Sequence, residues 1–198
     1  MRIIGLAALL LAMVSTVVFA EVTHRLEFYA DEGLSSCELA MNTPGLVKVH
    51  MVVTGPGILR GISFKAPKPS CMTNVTSLTD VWQQPDALAG NTQAGVDVLF
   101  VCAPLPRYLG WIWYSVAGPV STCCAYAPEP GSAGGSIMFP GYLHVVLVPA
   151  CTEPDIYFPE SVPADAKGLV VNPDATCRCD LPLPVQPTTW GSVKALYR

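Results

Sequence analysis

Val96-Asp97-Val98-Leu99-Phe100-Val101-Cys102 and Tyr108-Leu109-Gly110-Trp111-Ile112-Trp113-Tyr114-Ser115-Val116 flank the proline-rich turn Ala103-Pro104-Leu105-Pro106-Arg107. Both runs are dense in β-branched and aromatic residues and are bounded by Gly and Pro, the pattern of strands in a sheet core. The first reads as a buried strand, and the second carries two of the four tryptophans. Past the adjacent cysteines Cys123-Cys124, the run Tyr142-Leu143-His144-Val145-Val146-Leu147-Val148 repeats the pattern and leads to Cys151. Val96 to Cys151 holds four of the eight cysteines. This segment predicts the centre of a disulfide-bonded β-sandwich.

Working outward, the same grammar recurs. From Glu21 to Ala30, residues Val22, His24, Leu26 and Phe28 alternate with Thr23, Arg25, Glu27 and Tyr29, which predicts a half-buried first strand. Leu46 to Thr54 sets Val47, Val49, Met51 and Val53 inward and Lys48 and His50 outward. Gly55-Pro56-Gly57 is a tight turn, and Ile58 to Lys65 follows as a third strand, with the two expected to form a hairpin. A short edge strand is expected around Leu78 to Trp82, and a last one at Leu169-Val170-Val171. No helix is expected within Glu21 to Asp180. The spacing predicts an all-β, disulfide-bonded, immunoglobulin-like sandwich of about eight or nine strands.

The first twenty residues read as a signal peptide. Arg2 is a minimal basic start, Ile3 to Phe19 carries no charge, and Val18-Phe19-Ala20 suits cleavage. Removing residues 1–20 of the 198 leaves a mature chain of 178, enough for one domain at 21–180. No second long apolar run follows, so no membrane span is expected in the mature protein. Without Arg2, ten basic residues face fifteen acidic ones, a net of −5, and no basic cluster occurs. That argues against nucleic acid or an anionic membrane as partner.

All eight cysteines lie beyond the signal: Cys37, Cys71, Cys102, Cys123, Cys124, Cys151, Cys177 and Cys179. An even count in an exported chain predicts disulfides, although spacing does not choose the connectivity. Adjacent strand residues point to opposite faces, so Cys123 and Cys124 are expected to pair with different partners rather than with each other. Cys177-x-Cys179 beside Asp180 reads as structural disulfides rather than a metal site, because zinc pairs are normally spaced Cys-x2-Cys.

Motifs for chemistry are sparse. His24, His50 and His144 fall in predicted strands, without a Gly-x-Ser-x-Gly elbow or a His-Glu-x-x-His helix. Asp31, Glu32, Glu153, Asp155, Asp165 and Asp174 are scattered on turns and build no calcium loop. No catalytic residue, metal or cofactor is assigned. Trp111 and Trp113 share one strand face, together with Leu109 by alternation. Such a face is expected in the core, and a carbohydrate platform is the other reading. Asn74-Val75-Thr76 is a formal glycosylation sequon.

Residues 181–198 are of different material. Leu181-Pro182-Leu183-Pro184-Val185-Gln186-Pro187 favours an extended linker. The tail then places Trp190, Val193, Leu196 and Tyr197 at helical spacing, with Lys194 and Arg198 among them. The Thr188-Thr189-Trp190-Gly191-Ser192-Val193-Lys194-Ala195-Leu196-Tyr197-Arg198 ending resembles that of a group of uncharacterised bacterial exported β-sandwich proteins. Tyr29-Ala30-Asp31-Glu32, Cys37, Pro67-Lys68-Pro69-Ser70-Cys71 and Cys123-Cys124 carry the rest of the resemblance. It implies export and implies no activity. The tail is also similar in placement to C-terminal sorting signals, so Trp190, Lys194, Tyr197 and Arg198 are expected to meet a surface or secretion-machinery partner. The functional expectation is a non-enzymatic structural or binding module at or beyond the cell surface. The alternative is a secreted hydrolase acting on glycans through acidic loop residues.

Overall fold

The alternating runs become paired strands in a computed structural model that describes residues 24–131, 143–148 and 160–179. In chain order these are β1 (Arg25–Tyr29), β2 (Glu38–Leu39), β3 (Gly45–Thr54), β4 (Ile58–Lys65), β5 (Val75–Trp82), β6 (Ala87–Asn91) and β7 (Gly95–Pro104). They continue as β8 (Arg107–Val116), β9 (Cys124–Tyr126), β10 (Glu129–Pro130), β11 (His144–Val148), β12 (Glu160–Pro163), β13 (Asp165–Lys167) and β14 (Leu169–Val171). No helix occurs among the described residues. Residues 1–20, Cys151, Glu153, Asp155, Asp180 and the tail at 181–198 lie outside the described residues.

One sheet has the order β13-β1-β3-β8-β5, and a second has the order β12-β11-β4-β7-β6 with β10 added on β4. Their inner faces share one core. Leu26, Phe28, Val49, Met51, Val53, Ile112 and Tyr114 come from the first sheet, and Leu59, Ile62, Phe64, Val96, Val98 and Phe100 from the second. Burying a side chain of this size contributes roughly 1.5–3 kcal/mol. A polar cluster sits inside this apolar core. The Tyr114 and Tyr126 hydroxyls lie 2.6 Å apart, and Tyr126 also donates to the Ala66 carbonyl at 3.0 Å.

Three expectations need correction. First, β3 and β4 are not a hairpin. β3 pairs with β1 and β8, whereas β4 pairs with β7 and β11. Gly55-Pro56-Gly57 is thus a corner between sheets, with positive φ at Gly55 and Gly57, which glycine adopts without a Cβ clash. Second, β7 is not buried on both sides. Val96, Val98 and Phe100 are buried, but Leu99 and Val101 are 46 and 60 % exposed. An antiparallel sheet commonly keeps one solvated face, and the apolar run does not reveal that. Third, the chain forms fourteen strands among the described residues rather than eight or nine. The excess is mostly in two- and three-residue strands, which are too short to show a sequence period.

Those short strands build a third sheet of order β2-β14-β9. Three disulfides converge on it: Cys37–Cys179, Cys71–Cys124 and Cys123–Cys177. Cys123 and Cys124 therefore take different partners. Cys102 is also disulfide-bonded, and no described cysteine is free. Buried Asn172 completes the seam, accepting from Met41 N–H at 2.7 Å and donating to the Val120 carbonyl at 2.8 Å.

Candidate functional site: the outer face of the five-stranded sheet

Strand pairing decides which side chains meet on the solvent side of the first sheet. β3 and β8 run antiparallel with Lys48 opposite Trp113 and His50 opposite Trp111. β1 adds Tyr29 opposite His50. β5 adds Thr79 beside Trp113 and Val81 beside Trp111. Ile112, Tyr114 and Val116 alternate with the indoles and are buried, so Trp111 and Trp113 belong to the outer face, where both are half-buried. The core expectation for Trp113 is therefore incorrect.

A register shift between Met51 and Val52 explains the companion error at Leu109. Simple alternation puts Leu109 beside the indoles. The extra residue in β8 breaks that phase, leaving Leu109 fully buried. Tyr108 emerges next to Trp111 instead. Gly110 lies at this irregularity with φ +133°, and a Cβ there would stand 1.9 Å from the Val81 carbonyl oxygen. An isolated glycine inside a strand is the sequence signal for such a bulge.

Lys48 bridges the aromatic pair. Its ammonium lies 5.0 Å from the Trp111 ring centroid and 5.1 Å from that of Trp113. The same Nζ is 2.8 Å from Glu32 Oε1, and this contact holds the Glu32 carboxyl below its usual range. His50 Nδ1 is 2.7 Å from the Tyr108 hydroxyl, and the two rings stack at 5.9 Å. Burial lowers the His50 pKa, which favours a neutral imidazole, and burial likewise raises that of Tyr108. At the margin Tyr29 donates to Glu27, and Lys167 Nζ lies 5.6 Å from the Tyr29 ring. Burial, then the Glu27 hydrogen bond, pushes the Tyr29 pKa up to about 12. Glu32, Leu34, Gln83, Tyr108 and Trp111 line an open cleft of about 290 Å³. The arrangement offers flat apolar rings edged by an ammonium, a carboxylate and an amide, which suits binding.

The described carboxylates with low pKa values are tied into structure. Asp31 accepts from Ser35 N–H, Ser36 N–H and the Ser35 hydroxyl at 3.0, 2.6 and 2.8 Å. Asp174 accepts from the Thr176 N–H and hydroxyl at 2.7 and 2.6 Å. Cys123, Asp174 and Cys177 do gather their ligand atoms within 4.8 Å. The two sulfurs are joined in a disulfide, so neither is a thiolate available to a metal. His24 reaches the Pro56 carbonyl at 2.8 Å, and His144 lies in β11. Asn74 is exposed at the start of β5, its amide donating to the Pro119 carbonyl at 2.9 Å. Sequence reasoning missed Tyr29, Lys48 and Tyr108, and it weighed Glu32 and His50 without placing them beside the indoles. The alternation of β3 marked two of them as outward, but only the β3–β8 pairing shows what they face.

No family model matches the chain. No curated protein matches it. Among solved structures, one chain of a CaDoc0917–CaCohA2 complex crystallised at pH 5.5 aligns with 13 % identity and a TM-score of 0.37. The alignment covers 72 % of this chain and 99 % of that one.

Proposed function

We propose that this chain is an exported, non-enzymatic β-sandwich module that works by binding at or beyond the cell surface. The observation that carries the reading is the position of Trp111 and Trp113 on the outer face of the five-stranded sheet, away from the core. Indoles held half-exposed on a rigid sheet offer apolar area at small entropic cost, and the Lys48, Glu32 and Gln83 polar groups give orientation. A glycan fits this chemistry, since the C–H face of a pyranose packs on an aromatic ring while its hydroxyls meet the rim. The disulfides support residence in an oxidising compartment.

The proposal includes three finer points. The two larger sheets are taken as immunoglobulin-like, supported by the β3-to-β4 step between sheets and the shared core. Residues 1–20 serve as the export signal. The tail carrying Trp190, Lys194, Tyr197 and Arg198 addresses a surface or secretion-machinery partner, a reading supported by its placement, which is similar to that of C-terminal sorting signals.

An array of neutral and acidic glycans tests the binding face. Retention should be lost in Trp111→Ala and Trp113→Ala while both variants stay folded. Equal retention by the wild type and both variants, or none by the wild type, removes the assignment.

A further inference from the structure

We propose that the glycan taken by the outer face of the five-stranded sheet is an acidic one, and that Glu32 occupies on Lys48 the seat of the ligand's carboxylate. This rests on the glycan reading above and adds to it the ligand class and the residue that selects it. The seat is seen filled. Lys48 Nζ is 2.8 Å from Glu32 Oε1, and the same nitrogen lies 5.0 and 5.1 Å from the Trp111 and Trp113 ring centroids. A carboxylate in that position meets an ammonium held between two indoles. A hexuronate matches both parts, since its carboxylate pairs with Lys48 while its C–H face packs on an indole.

The contacts of Lys48 differ in strength, and that decides what can be exchanged. The side chains of Lys48 and Glu32 are 29 and 76 % exposed. An ion pair so open to solvent is weak, whereas the ammonium keeps both ring contacts when the carboxylate leaves. Glu32 sits on a turn closed by the Leu34 N–H donating to the Asp31 carbonyl at 3.1 Å. Asp31 fixes this turn through Ser35 and Ser36, so the Glu32 side chain can swing away without disturbing it. A cation from outside would instead have to displace Lys48 from the rings, a tethered occupant at high effective concentration. Charge agrees with an anion. Among the described residues lining the cleft of about 290 Å³, Glu32 is the one carboxylate, beside Leu34, Gln83, Tyr108 and Trp111. The nearby Glu27 and Asp31 are engaged, with Tyr29 and with the two serines. Once Glu32 moves, no like charge remains in that wall.

Calorimetric titration of the full chain with uronate-bearing oligosaccharides, each paired with its own methyl ester, tests this. The members of a pair differ mainly in charge. The wild type should hold the acid form about fivefold or more tightly than the ester. Lys48→Met should remove that preference at unchanged circular dichroism, and Glu32→Gln should tighten acid binding. Equal binding of acid and ester, binding of neutral glycans alone, or a preference that survives Lys48→Met overturns the acidic class and leaves the glycan reading standing. Unchanged or weaker acid binding in Glu32→Gln overturns the exchange. Retention of no glycan, or of acidic peptides alone, removes both the proposal and the glycan reading.

Discussion

Lys48 and Trp113 are directly opposed across β3 and β8, and the ammonium of one lies 5.1 Å from the ring centroid of the other. The same nitrogen is 5.0 Å from Trp111 and 2.8 Å from Glu32. One cation thus links two indoles and a carboxylate on the outer face. The side chains of Lys48 and Glu32 are 29 and 76 % exposed, so solvent screens the ion pair and the ring contacts dominate. Lys48→Met should lower stability by about 0.5–1 kcal/mol. Urea titration measures the loss, and it should survive added salt, whereas an ion-pair origin predicts that salt abolishes it. Tryptophan fluorescence should change with the substitution.

Acid should weaken the same face through His50. Its folded pKa is lowered by burial from an ordinary 6.5. Between the folded and unfolded values the unfolded chain binds more protons, so stability falls as pH drops through that window and levels off below it. The Glu32 carboxyl, held low by Lys48, acts in a lower window. His50→Gln should flatten the slope just below neutrality and leave the lower window intact. An unchanged profile in equilibrium unfolding at stepped pH rules out the His50 contribution.

Alkali acts with the opposite proton count at Tyr29. Its pKa is raised from 10.0 to about 12, by burial first and then the Glu27 hydrogen bond. The folded chain therefore holds the proton longer. The contribution is fully present below pH 10.0 and declines as pH rises toward 12. Phenolate absorbance should show several tyrosines titrating late, because burial also raises Tyr108, Tyr114 and Tyr126, and Tyr29→Phe should remove one of them.

Tyr126→Phe tests the polar cluster in the core. The hydroxyl joins Tyr114 and the Ala66 carbonyl, both also contacted by Gln93 at 3.3 and 3.0 Å. Those second contacts limit the damage, so the expected loss is about 1–3 kcal/mol, the range for leaving buried polar groups short of a partner. Differential scanning calorimetry should show it. A loss of zero would mean that Gln93 satisfies the cluster alone.

Deleting residues 181–198 separates recognition from folding. Cys179 is the last disulfide residue, tied to Cys37, so the truncated chain keeps every cysteine. The melting temperature should hold while localisation is lost. A drop of several degrees with localisation intact assigns the tail to the fold instead.

The sequence by itself determined the local conformations. Period-two alternation placed β1, β3 and β4, the aromatic run placed β8, and the even cysteine count anticipated disulfides with separate partners for Cys123 and Cys124. These features depend on neighbours in the chain, where apolar spacing and turn residues act directly. Tertiary structure alone decided which strands pair. It sent β3 and β4 to opposite sheets, assembled β2, β14 and β9 from fragments too short to show a period, and turned Trp111 and Trp113 outward. The extra residue in β8 re-phases the strand only before Gly110, at Leu109 and Tyr108. A shift of one residue exchanges the faces of a strand, and the alternating pattern Leu109, Trp111, Trp113 reads the same whether the large rings point in or out. Both faces of β8 are apolar and aromatic, so hydropathy gave no preference. What settled it was the partner strand, where Val49 and Met51 fill the core and Lys48 and His50 do not.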